Sequence, residues 1–148
     1  MLTDPHSLFQ LTGPLAMLGW LALALAPLAP RLANAVAALA IPALLSVAYT
    51  ALILVHWSDA PGGFDSLANV MALFTHPAVA LAGWVHYLAF DLFVGAWITR
   101  TARAERIHHL LILPCLVLTF LFGPAGFLFF TALRAAFAAR ARMTKATA

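Results

Sequence analysis

Apolar residues run along this chain in long blocks, separated by short polar or proline-containing stretches. A helix needs roughly 20 apolar residues to cross a bilayer core, and four blocks reach about that length: Leu8 to Leu28, Ala33 to Trp57, Pro77 to Ile98 and Ile107 to Leu133. Because lipid offers a backbone no hydrogen-bond partners, each block is expected to be a helix. The pattern predicts an all-α fold, a polytopic membrane helical bundle with four transmembrane helices in a single domain of residues 1–148.

Two shorter elements complete the predicted organisation. Ser66 is placed to cap a short helix over residues 67–76, which should end before Pro77 because proline disfavours helix in the preceding residue. This piece is too short to span, so we expect an interfacial helix. The basic tail, residues 134–148, is expected to meet anionic membrane lipids, with no nucleic acid as a partner.

Composition supports the membrane interpretation. The chain is 64% hydrophobic and only 9% charged, with a mean hydropathy of +0.98, which excludes an ordinary water-soluble domain. Its one cysteine, Cys115, excludes an internal disulfide and a cysteine-based zinc framework. The stretch MLTDPHSL has no Lys or Arg, so the first block is interpreted as a retained helix rather than a secretory signal.

The distribution of basic residues gives no clear orientation. Four simple crossings place equal numbers on the two sides: Arg31, Arg100, Arg103 and Arg106 on one, and Arg134, Arg140, Arg142 and Lys145 on the other. Cytoplasmic segments normally carry an excess of such residues. The motif FGPAG at 122–126 offers an alternative, a helix that breaks and turns back so that all eight lie on one face. Four full crossings are the preferred prediction.

The third block contains the candidate chemistry, in the stretch WVHYLAFD at 84–91. On a helical wheel His86, Tyr87 and Asp91 share one side with Gly83, and this side is predicted to face the protein interior. The opposite side is predicted to face lipid: Leu81, Val85, Leu88, Leu92 and Ala96. An aspartate at mid-membrane costs about 2.5–3.5 kcal/mol on insertion scales, so such residues usually mark sites. His86, Asp91 and Tyr87 are the predicted catalytic residues, although simple interhelical packing also explains a lone intramembrane histidine.

The sequence lacks the motifs of several common enzyme chemistries. It contains no phosphate loop, nucleophile elbow or dinucleotide fingerprint. A metal site, with iron as the possible ion, would need about three converging ligands. The candidate ligands are His86, Asp91, His56 and His108. No single helix carries a metal-ligand spacing such as HExxH, so the cofactor is left unknown.

The segment from Trp84 to Val94 resembles the W-x-H-x-x-x-x-D-L-F signature of the family named for abscisic-acid deficiency four. The likeness extends to R-x-H at 106–108 and to the C-L and G-P-x-G pattern between Cys115 and Gly126. Plant members of this family are needed to make neoxanthin. The resemblance implies a polytopic protein that acts on carotenoids, with the motif matching only the third and fourth helices.

A carotenoid is comparable in length to the bilayer core of roughly 30 Å, so it would bind in a groove between helices. Gly83, Phe90 and Tyr49 are the candidate substrate-binding residues. A rearrangement would use Asp91 as acid and His86 as base, because an apolar environment favours both neutral groups. Oxidation or cleavage of the polyene would instead require a metal. The alternatives are a non-catalytic carotenoid-binding or assembly protein and a small proton-linked transporter.

The type of organism and the membrane are expectations drawn from composition. The alanine and arginine richness, with a single lysine, is typical of a bacterial chain. We therefore expect an integral protein of the bacterial cytoplasmic membrane, where neoxanthin is not the expected product. A homo-oligomer that completes a binding groove is a further expectation.

Overall fold

The computed structural model describes residues 4–146, and every regular element in that part of the chain is helical. The elements are α1 Pro5–Ala24, α2 Pro30–Asn34, a π-helical turn Ala35–Ala40, α3 Ile41–His56, a 3-10 turn Trp57–Asp59, α4 Leu67–Leu73, α5 Pro77–Ala104, α6 His109–Phe122 and α7 Pro124–Ala146. The predicted all-α membrane bundle is confirmed. Residues 147 and 148 of the predicted basic tail, and the side chain of Lys145, lie outside the described part of the chain.

Three helical segments are long and apolar enough to cross a membrane: α1, the continuous stretch Pro30–Asp59 that contains α2 and α3, and α5. Helix α1 runs parallel to α5. Its start places Phe9 against Trp84, with ring centroids 5.8 Å apart. Further along, Gly19 leaves room for the side chain of Leu92. Small residues at such a crossing let two membrane helices approach closely.

Helix α3 runs antiparallel to α5, so the chain returns across the same thickness. At one end Arg100 Nη1 donates to Asn34 Oδ1 at 2.9 Å, and at the other the rings of His56 and His76 lie 5.7 Å apart. We call these the arginine end and the histidine end. At the histidine end Ser66 Oγ caps α4 by accepting from Asn69 N at 3.2 Å, as predicted. Helix α4 stops at Leu73 rather than at residue 76, because residues 74–76 form the turn into α5.

The predicted orientation of α5 is wrong. The aliphatic side assigned to lipid is the side that packs against the bundle: Leu81, Val85, Leu88, Leu92 and Ala96 are all buried. The side predicted to face the interior bears exposed residues, His86 and Phe90 among them. Aliphatic surface gains nothing from leaving lipid, so close packing decides which side is covered. Gly95 contributes to that packing, since a Cβ there would lie 2.7 Å from the Trp20 ring.

The segment predicted as the fourth crossing consists of two helices that fold back at Gly123. Helix α6 runs antiparallel to α5 from the arginine end only as far as the level of Asp91, which lies against Gly123. Asp91 is near the middle of α5, about 21 Å along its axis from Pro77 at the usual rise per residue. Gly123 has φ +37°, a conformation that glycine adopts without a Cβ penalty.

Helix α7 then returns beside α5 to the arginine end. Trp97 contacts Phe127, with ring centroids 5.5 Å apart. Further along α7, Arg134 forms a bidentate ion pair with Glu105 at the end of α5. The Arg134 hydrogen bonds hold the pKa of Glu105 below its usual value of 4.5, so the pair persists down to acidic pH. In place of the single helix expected over residues 107–133, the structure therefore has a helical hairpin, the break that FGPAG suggested.

This hairpin gathers the basic side chains at one end. The arginines that flank the membrane segments lie at or beyond the arginine end: Arg31, Arg100, Arg103, Arg106, Arg134, Arg140 and Arg142. Three acidic residues lie at the histidine end, Asp4, Asp59 and Asp65, whereas Glu105 lies at the arginine end and is paired with Arg134. Four crossings would divide the basic residues equally between the two sides of the membrane, and the hairpin removes that equal division. An excess of basic residues on one side is the usual mark of the cytoplasmic face.

The hairpin makes a topology prediction that four crossings do not share. In a Cys115→Ala background, a thiol at Ser58→Cys should react with an impermeant reagent applied outside intact cells. A thiol at Ala136→Cys should react only after permeabilisation, because both positions are exposed but lie at opposite ends. If α6 and α7 together crossed the membrane, both thiols would react from the same side.

The hairpin also predicts an effect on stability. A Cβ at Gly126 would lie 2.6 Å from the Cys115 carbonyl oxygen, which belongs to the backbone and cannot move aside easily. Gly126→Ala should therefore cost about 1–3 kcal/mol, as overpacking usually does, and lower the thermal denaturation midpoint in detergent. Gly13→Ala is the matched control, since its Cβ meets nothing within 4 Å. A Gly126→Ala midpoint equal to that of the control would contradict the hairpin contact.

Candidate functional site

His86 lies on the outward-facing side of α5 in a small aromatic cluster. Its ring stacks on Phe90, with centroids 4.6 Å apart and planes inclined by 23°. The ring of Tyr49 from α3 approaches from the other side at 5.6 Å. The structure therefore brings together three residues proposed for the site from sequence. It does so on an open surface, because His86 is exposed, and the prediction that it faces an enclosed interior is wrong.

Asp91 occupies a different environment, at the tip of the re-entrant hairpin. Its side chain is half-buried and lies so close to Gly123 that a Cβ there would be 3.0 Å from the Asp91 carboxyl carbon. Its Oδ2 is buried and has no hydrogen-bond partner among the described residues. A buried polar oxygen without a partner carries a desolvation cost of about 1–3 kcal/mol. Asp91 is thus a polar group held in an apolar setting.

Tyr87 lies beside Asp91, but its hydroxyl makes a different hydrogen bond, and Arg100 lies at the arginine end. The Tyr87 hydroxyl donates to the Phe120 carbonyl oxygen at 3.2 Å, which ties α5 to α6 just before the hairpin tip. Arg100 is bonded to Asn34 at the arginine end. Tyr87 therefore fixes the position of the hairpin beside Asp91 in the described structure.

Aromatic side chains connect the two environments along α5. Tyr87 stacks on Trp84, with ring centroids 5.5 Å apart. We define the aromatic face as the exposed side chains Trp84, His86, Phe90 and Phe93 together with the half-buried Tyr49 and Tyr87. His86 and Asp91 are five residues apart, or about 7.5 Å along the helix axis. His86 belongs to this face and Asp91 borders it, and the two are not hydrogen-bonded to each other.

Gly83 adjoins the aromatic face but is already covered. A Cβ at this position would lie 2.6 Å from the ring of Phe74, which follows α4. The close approach expected at Gly83 is therefore made by the α4 turn of the same chain. This contact anchors the interfacial helix against α5 near the histidine end.

The four residues considered as metal ligands do not converge. His56 lies against His76 at the histidine end, whereas His108 caps α6 beyond the opposite end of α5. Helix α5, with 28 residues, separates these two positions by roughly 40 Å at the usual rise per residue. No group of three or more His, Cys, Asp or Glu suited to a metal occurs among the described residues. The four candidate iron ligands therefore do not form a metal site among the described residues.

Two features were not anticipated from the sequence. One is the contact between Asp91 and Gly123, for which the only sequence signal was the interrupted pattern G-P-x-G. The other is a cleft of about 770 Å³ at the arginine end. A smaller apolar pocket of about 150 Å³ lies between α1 and α6, beside Trp20 and Phe120. Neither of these two cavities is lined by His86 or Asp91.

Comparison with known proteins identifies the family of the chain. The family model described as ABA DEFICIENT 4-like matches residues 7–130, which include α1 to α6 and the first turns of α7. No curated protein and no solved structure matches the chain. The family match covers most of the sequence and confirms the resemblance carried by the segment from Trp84 to Val94. With its apolar membrane-length helices, the chain belongs to the ABA DEFICIENT 4-like family.

Proposed function

We propose that this protein is an integral-membrane enzyme that modifies a carotenoid lying against the aromatic face of α5. The observation that carries the proposal is the buried Oδ2 of Asp91 at mid-membrane, which has no hydrogen-bond partner among the described residues and lies next to the aromatic face. Membership of the ABA DEFICIENT 4-like family supports carotenoid metabolism as the setting. The chemistry below is derived from the residues themselves.

The aromatic face suits a long apolar ligand. Trp84, Phe90 and Phe93 are 40%, 57% and 46% exposed, so their rings are available to a partner within the membrane. A polyene gains many small dispersion contacts when it lies along such rings. Its length matches a bilayer core of roughly 30 Å, so a molecule held along α5 would span the levels of both His86 and Asp91, which point about 140° apart around the helix.

The proposed reaction is an acid-base rearrangement of a carotenoid epoxide, whose oxygen stays bonded to its second carbon when the first carbon-oxygen bond breaks. Asp91, as a neutral acid, gives its proton to the substrate oxygen while a carbon-oxygen bond breaks. His86 takes a proton from a substrate carbon, and the electrons of that carbon-hydrogen bond form the new carbon-carbon double bond. The oxygen gains one proton and the carbon loses one, so the product is an isomer and no oxidant is needed. General acid-base groups of this kind contribute about 10²–10⁴-fold in rate.

The placement of the two groups fits this division of roles. They stand about 7.5 Å apart along the helix axis, far enough to address different atoms of one substrate. Gly123 limits the movement of Asp91 from one side, and Phe90 holds the His86 ring by stacking. Tyr87 acts as a positioning residue, since its bond to Phe120 fixes the hairpin that borders Asp91.

A non-catalytic carotenoid-binding protein is the second candidate function. The outward exposure of His86 favours it, because general-base catalysis usually takes place in a site that excludes water and competing molecules. A second copy of the chain packed on the aromatic face would enclose the ligand and restore such a site. The proposed enzyme is therefore expected to act as a homo-oligomer in the cytoplasmic membrane.

The catalytic proposal predicts the behaviour of two variants in a carotenoid-producing host. Asp91→Asn keeps the size of the side chain but removes the acid, and His86→Ala removes the base. Each should lower pigment conversion by about 100-fold or more, measured by chromatography of extracted pigments. Asp65→Asn and His6→Ala are the matched controls, because both residues are exposed, Asp65 in the loop before α4 and His6 in the first turn of α1.

Protein accumulation in the membrane is measured for all four variants, so that a folding defect is not taken for a chemical one. Conversion at the wild-type level by both site variants would contradict the enzyme proposal. If purified wild-type protein then retained unchanged carotenoid, the non-catalytic alternative would be supported instead.

A further inference from the structure

The cleft at the arginine end is separate from the aromatic face. Its volume is about 770 Å³, and it lies where the end of α1, helix α2, the end of α5 and the start of α6 meet. Its apolar lining includes Leu23, Ala26, Ala96, Ile107 and Ile112. Its basic lining consists of Arg100, Arg103, Arg106, His108 and His109. An apolar cavity with cationic groups at one side has the character of a site for an amphiphile.

The positive charge of this cleft is not neutralised within the described residues. Glu105 lies between Arg103 and Arg106 in sequence, but its carboxylate is paired with Arg134. No described carboxylate pairs with Arg103 or Arg106. Arg100 donates one hydrogen bond to Asn34 at 2.9 Å, which fixes its guanidinium and leaves further N–H donors free. The cleft therefore offers several oriented donors to an anion.

The backbone at Arg106 gives independent support. Its φ is +58°, and it ends α5 by two hydrogen bonds, Arg106 N to Arg103 O at 3.2 Å and Ile107 N to Ala102 O at 2.8 Å. This is the Schellman arrangement, in which the left-handed residue is usually glycine. An arginine here adopts a backbone conformation that disfavours any side chain with a Cβ. Glycine would end the helix with less strain, so helix termination does not explain an arginine at this position.

The geometry points to a binding site for a phosphate-bearing anionic lipid. The guanidinium fork matches the oxygens of a phosphate group better than any other side chain does. The exposed Pro27 and the half-buried Pro30 of the lining would contact the first part of the acyl chains, with the buried Leu23 behind them. The cleft follows the last turn of α5, so it lies at the headgroup level of the leaflet on the basic side, where anionic lipids meet basic pockets. The inference does not depend on carotenoid chemistry.

The test uses the full chain in nanodiscs of phosphatidylcholine to which phosphatidylglycerol is added in steps. Bound lipid is counted by native mass spectrometry, and the thermal denaturation midpoint is recorded at each step. Arg103→Gln and Arg106→Gly should each bind phosphatidylglycerol about fivefold more weakly, as expected for one basic group near an anionic surface. Arg142→Gln removes the same charge at the same end but outside the cleft, and should bind as the wild type does.

Arg106→Gly separates binding from folding. In phosphatidylcholine alone this variant should be at least as stable as the wild type, because glycine suits φ +58°. It should nevertheless gain less stability from phosphatidylglycerol. Equal phosphatidylglycerol affinity for Arg103→Gln, Arg106→Gly and wild type would overturn the site. Equal protection of the wild type by inorganic diphosphate without anionic lipid would overturn the lipid assignment, since it would assign the cleft to a free anion.

Discussion

The structure depends on how a carboxylate is accommodated in the middle of a membrane. Lipid offers Asp91 no hydrogen bonds, and the cost of an aspartate at that depth is about 2.5–3.5 kcal/mol on insertion scales. The re-entrant hairpin brings a backbone turn to the level of Asp91 and packs Gly123 against it. Irregular backbone at membrane depth is tolerated only where protein covers it. Asp91 and the hairpin tip therefore lie side by side. Each of these two polar elements is partly covered by the other at that depth.

The sequence predicted the helices well and their arrangement only in part. Helix length and hydropathy identify α1, α3 and α5, because a backbone in lipid must be helical. The same criteria fit a straight fourth crossing and a broken one equally well. Only contacts distant in sequence distinguish them, such as Glu105 with Arg134 and Asp91 with Gly123. The G-P-x-G motif marked where the chain breaks but not the direction it takes afterwards.

The orientation of α5 could not be obtained from a helical wheel for a related reason. In water an aliphatic side must be inside, but in a membrane lipid tails are as apolar as leucine. Packing with Gly19 and Gly95 buries the aliphatic side of α5 and leaves His86 outward. His86, Tyr49 and Phe90 were each named from sequence for the site, but the contacts between their rings were not predicted. The metal ligand set failed because His56 and His108 lie at opposite ends.

The two proposed sites lie at different places in the molecule and suit ligands of different chemistry. The aromatic face offers an apolar ligand a surface within the membrane, bordered by one acid and one imidazole. The cleft at the arginine end offers an anion several guanidinium groups at the level of the headgroups. Both adjoin α5, so a bound lipid at one end would support the helix that carries the proposed chemistry.

The most direct test of the central claim is infrared difference spectroscopy of the full chain in lipid, with and without an oxygen-bearing carotenoid. If Asp91 is the acid that contacts substrate, a carboxylic-acid carbonyl band should shift on carotenoid addition and be absent in Asp91→Asn. A carbonyl spectrum that is unchanged by carotenoid, or identical in wild type and Asp91→Asn, would contradict the account.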